Sequence, residues 1–173
     1  MFRRKAASPH PPRILKPRMQ RTRVLIVDDS LTIRAMFEEM LLSDPEIDLI
    51  GAAGSAEEAL DMLSHGVADV IALDLHMPGL GGIAFLDQIK GHWHKMAVVI
   101  VSSAAVHKSE VCTEAFAHGA AACFDKSRLI ANGAQMRRLL KEAATGDFVR
   151  AAYRGDTVTL PTRSEANAAA RAA

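Results

Sequence analysis

Arg23-Val24-Leu25-Ile26-Val27-Asp28-Asp29-Ser30 is the stretch that decides the fold. Its aliphatic run is continuous and short, which reads as a strand buried on both faces, as in parallel sheets. The same pattern returns at Val70-Ile71-Ala72-Leu73 before Asp74, at Ala97-Val98-Val99-Ile100-Val101 before Ser102, and at Ala122-Cys123-Phe124 before Lys126. Ile47 to Ala53 supplies one more strand. Parallel sheets gather their chemistry at the carboxyl ends of the strands. Asp28, Asp29 and Asp74 therefore meet there, and three carboxylates repel one another unless a cation sits among them. A hard, oxygen-seeking ion such as Mg²⁺ suits that donor set. Lys126 adds a positive charge at the same end, which favours a phosphoryl group over a neutral substrate.

Between these strands lie helical patterns. Ile33, Phe37, Met40 and Leu41 recur at helical spacing, and Ala56, Ala59, Leu60 and Leu63 form the stripe of a helix begun by the capping box Ser55-Ala56-Glu57-Glu58 and closed by Gly66. Further helices are predicted near Ile83 to Lys90, Lys108 to Ala117 and Leu129 to Ala144, the last with Met136, Leu139, Leu140 and Ala143 inward. Strand and helix alternate five times, which predicts an α/β fold with a doubly wound five-stranded parallel sheet.

The 173 residues, 49% of them hydrophobic, suffice for one domain and tails. No apolar run is long enough to span a bilayer, and the N-terminus lacks the apolar stretch of a secretory signal, so a cytoplasmic location is expected. Cys112 and Cys123 form no C-x-x-C pattern and read as buried small residues in a reducing compartment. The net charge of +1 conceals a division: the first 23 residues hold eight of the 21 basic residues and none of the 20 acidic ones. Residues 1–21, with Pro9, Pro11, Pro12 and Pro17, read as a disordered basic leader. That leader offers nucleic acid or another anion an electrostatic contact; a solvated tail is the plainer reading. Met19 is an alternative translation start to Met1. Residues 145–173 are Ala-rich and are expected to be disordered or a frayed helix. They leave no room for a helix-turn-helix output module, so no DNA-binding domain is expected. His92-Trp93-His94 makes a poor ligand set without a carboxylate or cysteine nearby, and Trp93 reads as a packing anchor.

Val24-Leu25-Ile26-Val27-Asp28-Asp29-Ser30, Leu73-Asp74-Leu75-His76-Met77-Pro78-Gly79, Ser102 and Lys126 together resemble a response-regulator receiver domain across about residues 22–144. The wording around Asp28 and Asp74 is most similar to the receiver half of chemotaxis protein-glutamate methylesterases, whose esterase half is not expected here. The resemblance implies a flavodoxin-like sheet of order 2-1-3-4-5 flanked by five helices. It implies that Asp74 is the phosphoacceptor for a sensor histidine kinase and that Asp29 and Asp74 bind Mg²⁺ directly. The main-chain carbonyl of His76 joins them, and Asp28 acts through a coordinated water. Lys126 contacts the phosphoryl oxygens and Ser102 hydrogen-bonds them once Asp74 is modified. An output protein is expected at the face of the fourth helix, fifth strand and fifth helix. The chain is then a stand-alone regulator, with no enzymatic turnover beyond its own phosphorylation and dephosphorylation.

Three positions depart from the family pattern. Cys123 stands where an aromatic switch residue is common, Ser127 follows the lysine where proline is common, and Gly81 replaces a frequent aspartate. The His76 side chain either faces the path of the hydrolytic water or is a solvent-facing loop histidine. Rival readings are a phosphorylation-independent adaptor with a relic site, a remnant of a methylesterase, and an aspartate-nucleophile phosphatase. The phosphatase requires D-x-D where this chain has Asp28-Asp29-Ser30.

Overall fold

The computed structural model describes residues 21–90, 96–105, 109–148, 153 and 157–171, without the side chains of 169 and 170. The leader up to residue 20, with Met19, and His92-Trp93-His94 lie outside the described residues.

The elements alternate as β1 (Thr22–Val27), α1 (Leu31–Leu42), β2 (Ile47–Ala53), α2 (Ala56–His65), β3 (Val70–Leu73), α3 (Gly82–Lys90), β4 (Ala97–Ser102), α4 (Glu110–Ala117), β5 (Ala122–Asp125) and α5 (Gly133–Thr145). After α5 come β6 (Val158–Thr159) and α6 (Arg163–Arg171). The sheet order is β2-β1-β3-β4-β5-β6. The first five strands pair in parallel, as the doubly wound expectation required, and β6 adds antiparallel to β5.

Alternation along each strand divides the apolar residues between two cores. Leu25 and Val27 of β1, Ile71 and Leu73 of β3, and Cys123 of β5 pack toward α2, α3 and α4. Val24, Ile26, Val70, Ala72 and Phe124 pack on the other face against Phe37 and Leu41 of α1 and Met136, Leu139 and Leu140 of α5. The helix stripes expected from periodicity are thus the buried ones. Ser30, Ser55 and Ser109 cap α1, α2 and α4 by accepting from the amides of Ile33, Glu58 and Cys112. In the capping box of α2, Glu58 reaches back to the amide of Gly54 at 2.6 Å, one residue earlier than Ser55.

Two boundaries differ from expectation. The helix predicted from Leu129 begins at Gly133, because residues 129–132 continue as turns after a 3-10 turn over Lys126–Arg128. Asp125 holds that turn by accepting from the Ser127 amide at 2.9 Å and its hydroxyl at 2.6 Å. The second difference lies in the tail. Where composition suggested disorder or a frayed helix, the described residues form a sixth strand and a helix packed on α4. Helix α6 starts with a reciprocal box: the Thr162 amide donates to Glu165 at 2.6 Å and the Glu165 amide to Thr162 Oγ1 at 3.3 Å. Val158 and Thr159 are buried, as is Tyr153.

Candidate acidic site at the carboxyl ends of the strands

The ladder places the first two acids. Asp28 donates its amide to Ala53 O at 3.1 Å, and Asp74 donates its amide to Val27 O at 2.8 Å. Sheet hydrogen bonding therefore continues one residue past β1 and β3 and sets both side chains at one end of the sheet. Asp28 and Asp74 are buried, whereas Asp29 is exposed. Around Asp28 the loop is held tightly: its Oδ1 accepts from the Ser30 amide at 2.9 Å, and Arg34 Nη1 donates to its carbonyl at 2.6 Å. Ser30, the position a D-x-D phosphatase would fill with its second acid, is the N-cap of α1.

Lys126 follows β5 and bridges the two buried acids, its Nζ lying 2.6 Å from Asp28 Oδ2 and 2.6 Å from Asp74 Oδ2. Burial pushes the Asp28 carboxyl above the usual aspartate range, and the hydrogen bond from Lys126 only partly offsets this. Burial also opposes charge on Lys126, but the contacts with Asp28 and Asp74 outweigh it and raise its pKa. One carboxylate oxygen from each of Asp28, Asp29 and Asp74 lies within 4.8 Å of the others. Three carboxylates thus face one ammonium, leaving the site formally negative. The all-oxygen donor set fits a hard divalent cation.

Ser102 ends β4 fully buried. The His76 ring nitrogen Nδ1 lies 3.0 Å from Ser102 Oγ, while the His76 amide donates to Asp74 Oδ1 at 3.1 Å. His76 therefore connects Asp74 to Ser102. His76 is an exposed loop residue, as the solvent-facing alternative has it, and its ring also engages a buried hydroxyl, which neither alternative named. A shallow cleft lined by Asp74, His76, Ser103 and Ala104 opens here.

Two glycines shape the loop that carries Asp74. Gly81 has φ of 74°, a left-handed conformation that glycine adopts without steric cost. At Gly82 a Cβ would lie 2.5 Å from Leu75 Cα and 2.8 Å from the Asp74 carbonyl oxygen, so only glycine lets α3 start this close to the loop. Sequence reasoning passed over Gly82 because close approach leaves no local pattern. Cys123 occupies the position noted for a missing aromatic and is fully buried beside Cys112 of α4. The neighbouring Cys123 thiol draws the Cys112 pKa down to about 7, against burial. Cys123 is pushed up by Cys112 and by burial.

This arrangement can be set beside known proteins. The family model described as the response regulator receiver domain matches residues 24–144. A protein-glutamate methylesterase/protein-glutamine glutaminase of group 3 operon from Rhodopseudomonas palustris is 38% identical over 131 residues, covering 72% of this chain and 36% of that protein. A similarly named protein from Anaeromyxobacter dehalogenans is 39% identical over 134 residues, covering 76% of this chain and 35% of its own length. The chain thus spans little more than a third of these relatives. The crystal structure of the response regulator domain of Thermotoga maritima CheB superposes with a TM-score of 0.69 at 26% identity, covering 73% of this chain and 98% of that one. No helix among the described residues is long and apolar enough to cross a membrane. On the family match over residues 24–144, the chain belongs to the response regulator receiver domain family.

Proposed function

We propose that the chain receives a phosphoryl group on Asp74 from the phosphohistidine of a sensor histidine kinase and signals by altered protein–protein binding. The observation that carries this reading is the bridging of Asp28 and Asp74 by Lys126, with Asp29 completing the acid cluster. A carboxylate is a weak nucleophile toward phosphorus because both partners are anionic, so transfer depends on positioning and charge stabilisation. In the step, an Asp74 carboxylate oxygen forms the new bond to phosphorus as the P–N bond to the donor histidine breaks. The electron pair and a proton stay with the imidazole. Lys126, already in contact with Asp74, turns its ammonium to the phosphoryl oxygens. Asp29, Asp74 and the main-chain carbonyl of His76, with Asp28 through a water, would hold Mg²⁺, whose charge would offset that of the transferred group.

Phosphorylation replaces one carboxylate charge by roughly two and adds acceptor oxygens. Ser102 is the buried hydroxyl placed to answer that change, and it leaves His76 to do so. The His76 ring consequently sets the cost of the switch: His76→Ala is expected to change the dephosphorylation rate severalfold, and a rate equal to the parent's discards this role. Likeness to methylesterase receivers points to chemotaxis as the pathway.

The test is incubation with acetyl phosphate and Mg²⁺, followed by intact mass. One added phosphoryl that requires Mg²⁺ and is lost in Asp74→Asn is expected. A folded chain that gains nothing rejects the phosphoacceptor reading in favour of a phosphorylation-independent adaptor.

A further inference from the structure

The face formed by α4, β5 and α5 is touched on each of its three elements by the chain's own C-terminal segment. On α5, the Tyr153 hydroxyl donates to Glu142 at 2.7 Å, and the Arg138 guanidinium lies 5.4 Å from the Tyr153 ring centre. On β5, Val158 and Thr159 pair antiparallel with Phe124 and Cys123, and the Asp125 amide donates to Thr157 O at 2.8 Å. On α4, the capped helix α6 packs along the element. Tyr153, Val158 and Thr159 are all at least nine-tenths buried. These contacts are specific: the strand extends a backbone ladder, the tyrosine hydroxyl closes a hydrogen bond to a carboxylate while its ring lies under a guanidinium, and the helix packs on a helix.

We propose that Tyr153 and residues 157–171 are a built-in ligand of this face, with an added strand followed by a docked helix, and that modification at Asp74 loosens it. The inference rests on the receiver reading above and extends it. A partner of the same chemistry, one that adds a strand to β5 and lays a helix on α4, has to displace the segment first. The link to the acidic site is short. The last amide that the segment fixes belongs to Asp125, and the next residue is Lys126, which bridges Asp28 and Asp74. Asp125 also holds the turn over Lys126–Arg128. A phosphoryl on Asp74 redirects Lys126 and shifts the end of β5, the strand on which the segment is paired. Binding linkage is reciprocal: if a phosphoryl mimic weakens docking, undocking must strengthen binding of the mimic by the same factor.

The test uses the full chain with Mg²⁺ and beryllofluoride as the phosphoryl mimic. Amide exchange over residues 157–171 reads docking, and calorimetric titration reads affinity for the mimic. Expected are protected amides in the free chain, exchange accelerated at least fivefold by the mimic, and affinity raised by a matching factor in Val158→Asp. Glu165→Ala, which removes only the reciprocal cap of α6, is expected to act in the same direction more weakly and guards against misfolding of the first variant. Beryllofluoride binding with unchanged exchange overturns the inference and leaves the receiver reading intact. Failure of the mimic to bind a folded chain rejects the receiver reading, and the inference falls with it. Rapid exchange of residues 157–171 in the free chain shows no docked ligand and also overturns the inference.

Discussion

The carboxyl end of β5 and its outer edge hold opposite kinds of structure. At its carboxyl end, Lys126 enters a buried cluster with Asp28 and Asp74, pairing with each at 2.6 Å. Along its outer edge, the C-terminal segment is held by two strand residues, one tyrosine and a helix rich in alanine. The cluster is costly to desolvate and is kept by mutual pairing. The segment is held through a two-residue ladder, one tyrosine and a packed helix, contacts whose release unpairs no buried ion pair. One strand thus joins a rigid charged centre to a marginal cover, which is the architecture a local charge change needs in order to move something.

The sharpest way to break this contrast is to remove the ammonium at the carboxyl end of the strand. Lys126→Ala is expected to slow phosphoryl gain from acetyl phosphate about 100-fold, the usual loss when one transition-state donor is deleted. A rate within threefold of the parent, followed by intact mass, would remove Lys126 from the chemistry.

The cation comes next. Mg²⁺ at 100 times its Kd is expected to stabilise the fold by about 2.7 kcal/mol, near 5–10 °C in Tm for a chain of this size. The increment should depend on pH. Because the folded pKa of Asp28 is raised, chiefly by burial, acidification protonates Asp28 before an ordinary aspartate and the Mg²⁺ increment fades early. The same shift has a defined sign in stability. An acid whose folded pKa exceeds its unfolded value favours the fold below the unfolded pKa, and that contribution is lost as pH rises through the folded one. At neutral pH in chelator, Asp28→Asn is therefore expected to melt higher than the parent while losing most of the Mg²⁺ increment. Melting curves across a pH series check both; a lower Tm in chelator contradicts the burial argument.

Gly82→Ala tests the backbone that presents Asp74. Its new methyl would sit 2.5 Å from Leu75 Cα, and overpacking of this kind costs about 1–3 kcal/mol. Phosphoryl gain should slow as well, because the same atom presses on the Asp74 carbonyl. Unfolding in denaturant and the mass assay separate the two effects.

The contrast also explains what could be read in the sequence. Asp28 and Asp74 each follow an uninterrupted aliphatic strand, Ser102 closes one, and Lys126 follows the short apolar run Ala122-Cys123-Phe124 by two residues, so a one-dimensional pattern already places them at one edge of the sheet. The stripes of α1, α2 and α5 were legible for the same reason. Val158 and Thr159 have no such pattern, since a two-residue strand acquires its register only from the Cys123–Phe124 edge it meets. One local signal was present and unused: Thr162-Arg163-Ser164-Glu165 has the spacing of a capping box and marks the start of α6. The His76–Ser102 contact was illegible because it joins residues 26 apart across two loops.

The smallest expected effect bears most directly on the cover. Thr159 Oγ1 is buried with no conventional hydrogen-bond partner, although the weakly polar Cys112 thiol lies beside it. Leaving such a hydroxyl unsatisfied costs about 1–3 kcal/mol, and valine fills nearly the same space without it. Thr159→Val is therefore expected to raise stability by about 1 kcal/mol, a gain of roughly 2–4 °C in Tm. If the segment is a releasable ligand of β5, the same substitution tightens docking, slows amide exchange over residues 157–171 and weakens beryllofluoride binding. A rise in Tm with unaltered affinity for the mimic would make the hydroxyl a packing defect alone. A rise in Tm with reduced affinity would show that this buried oxygen keeps the cover loose enough for the acidic site to release it.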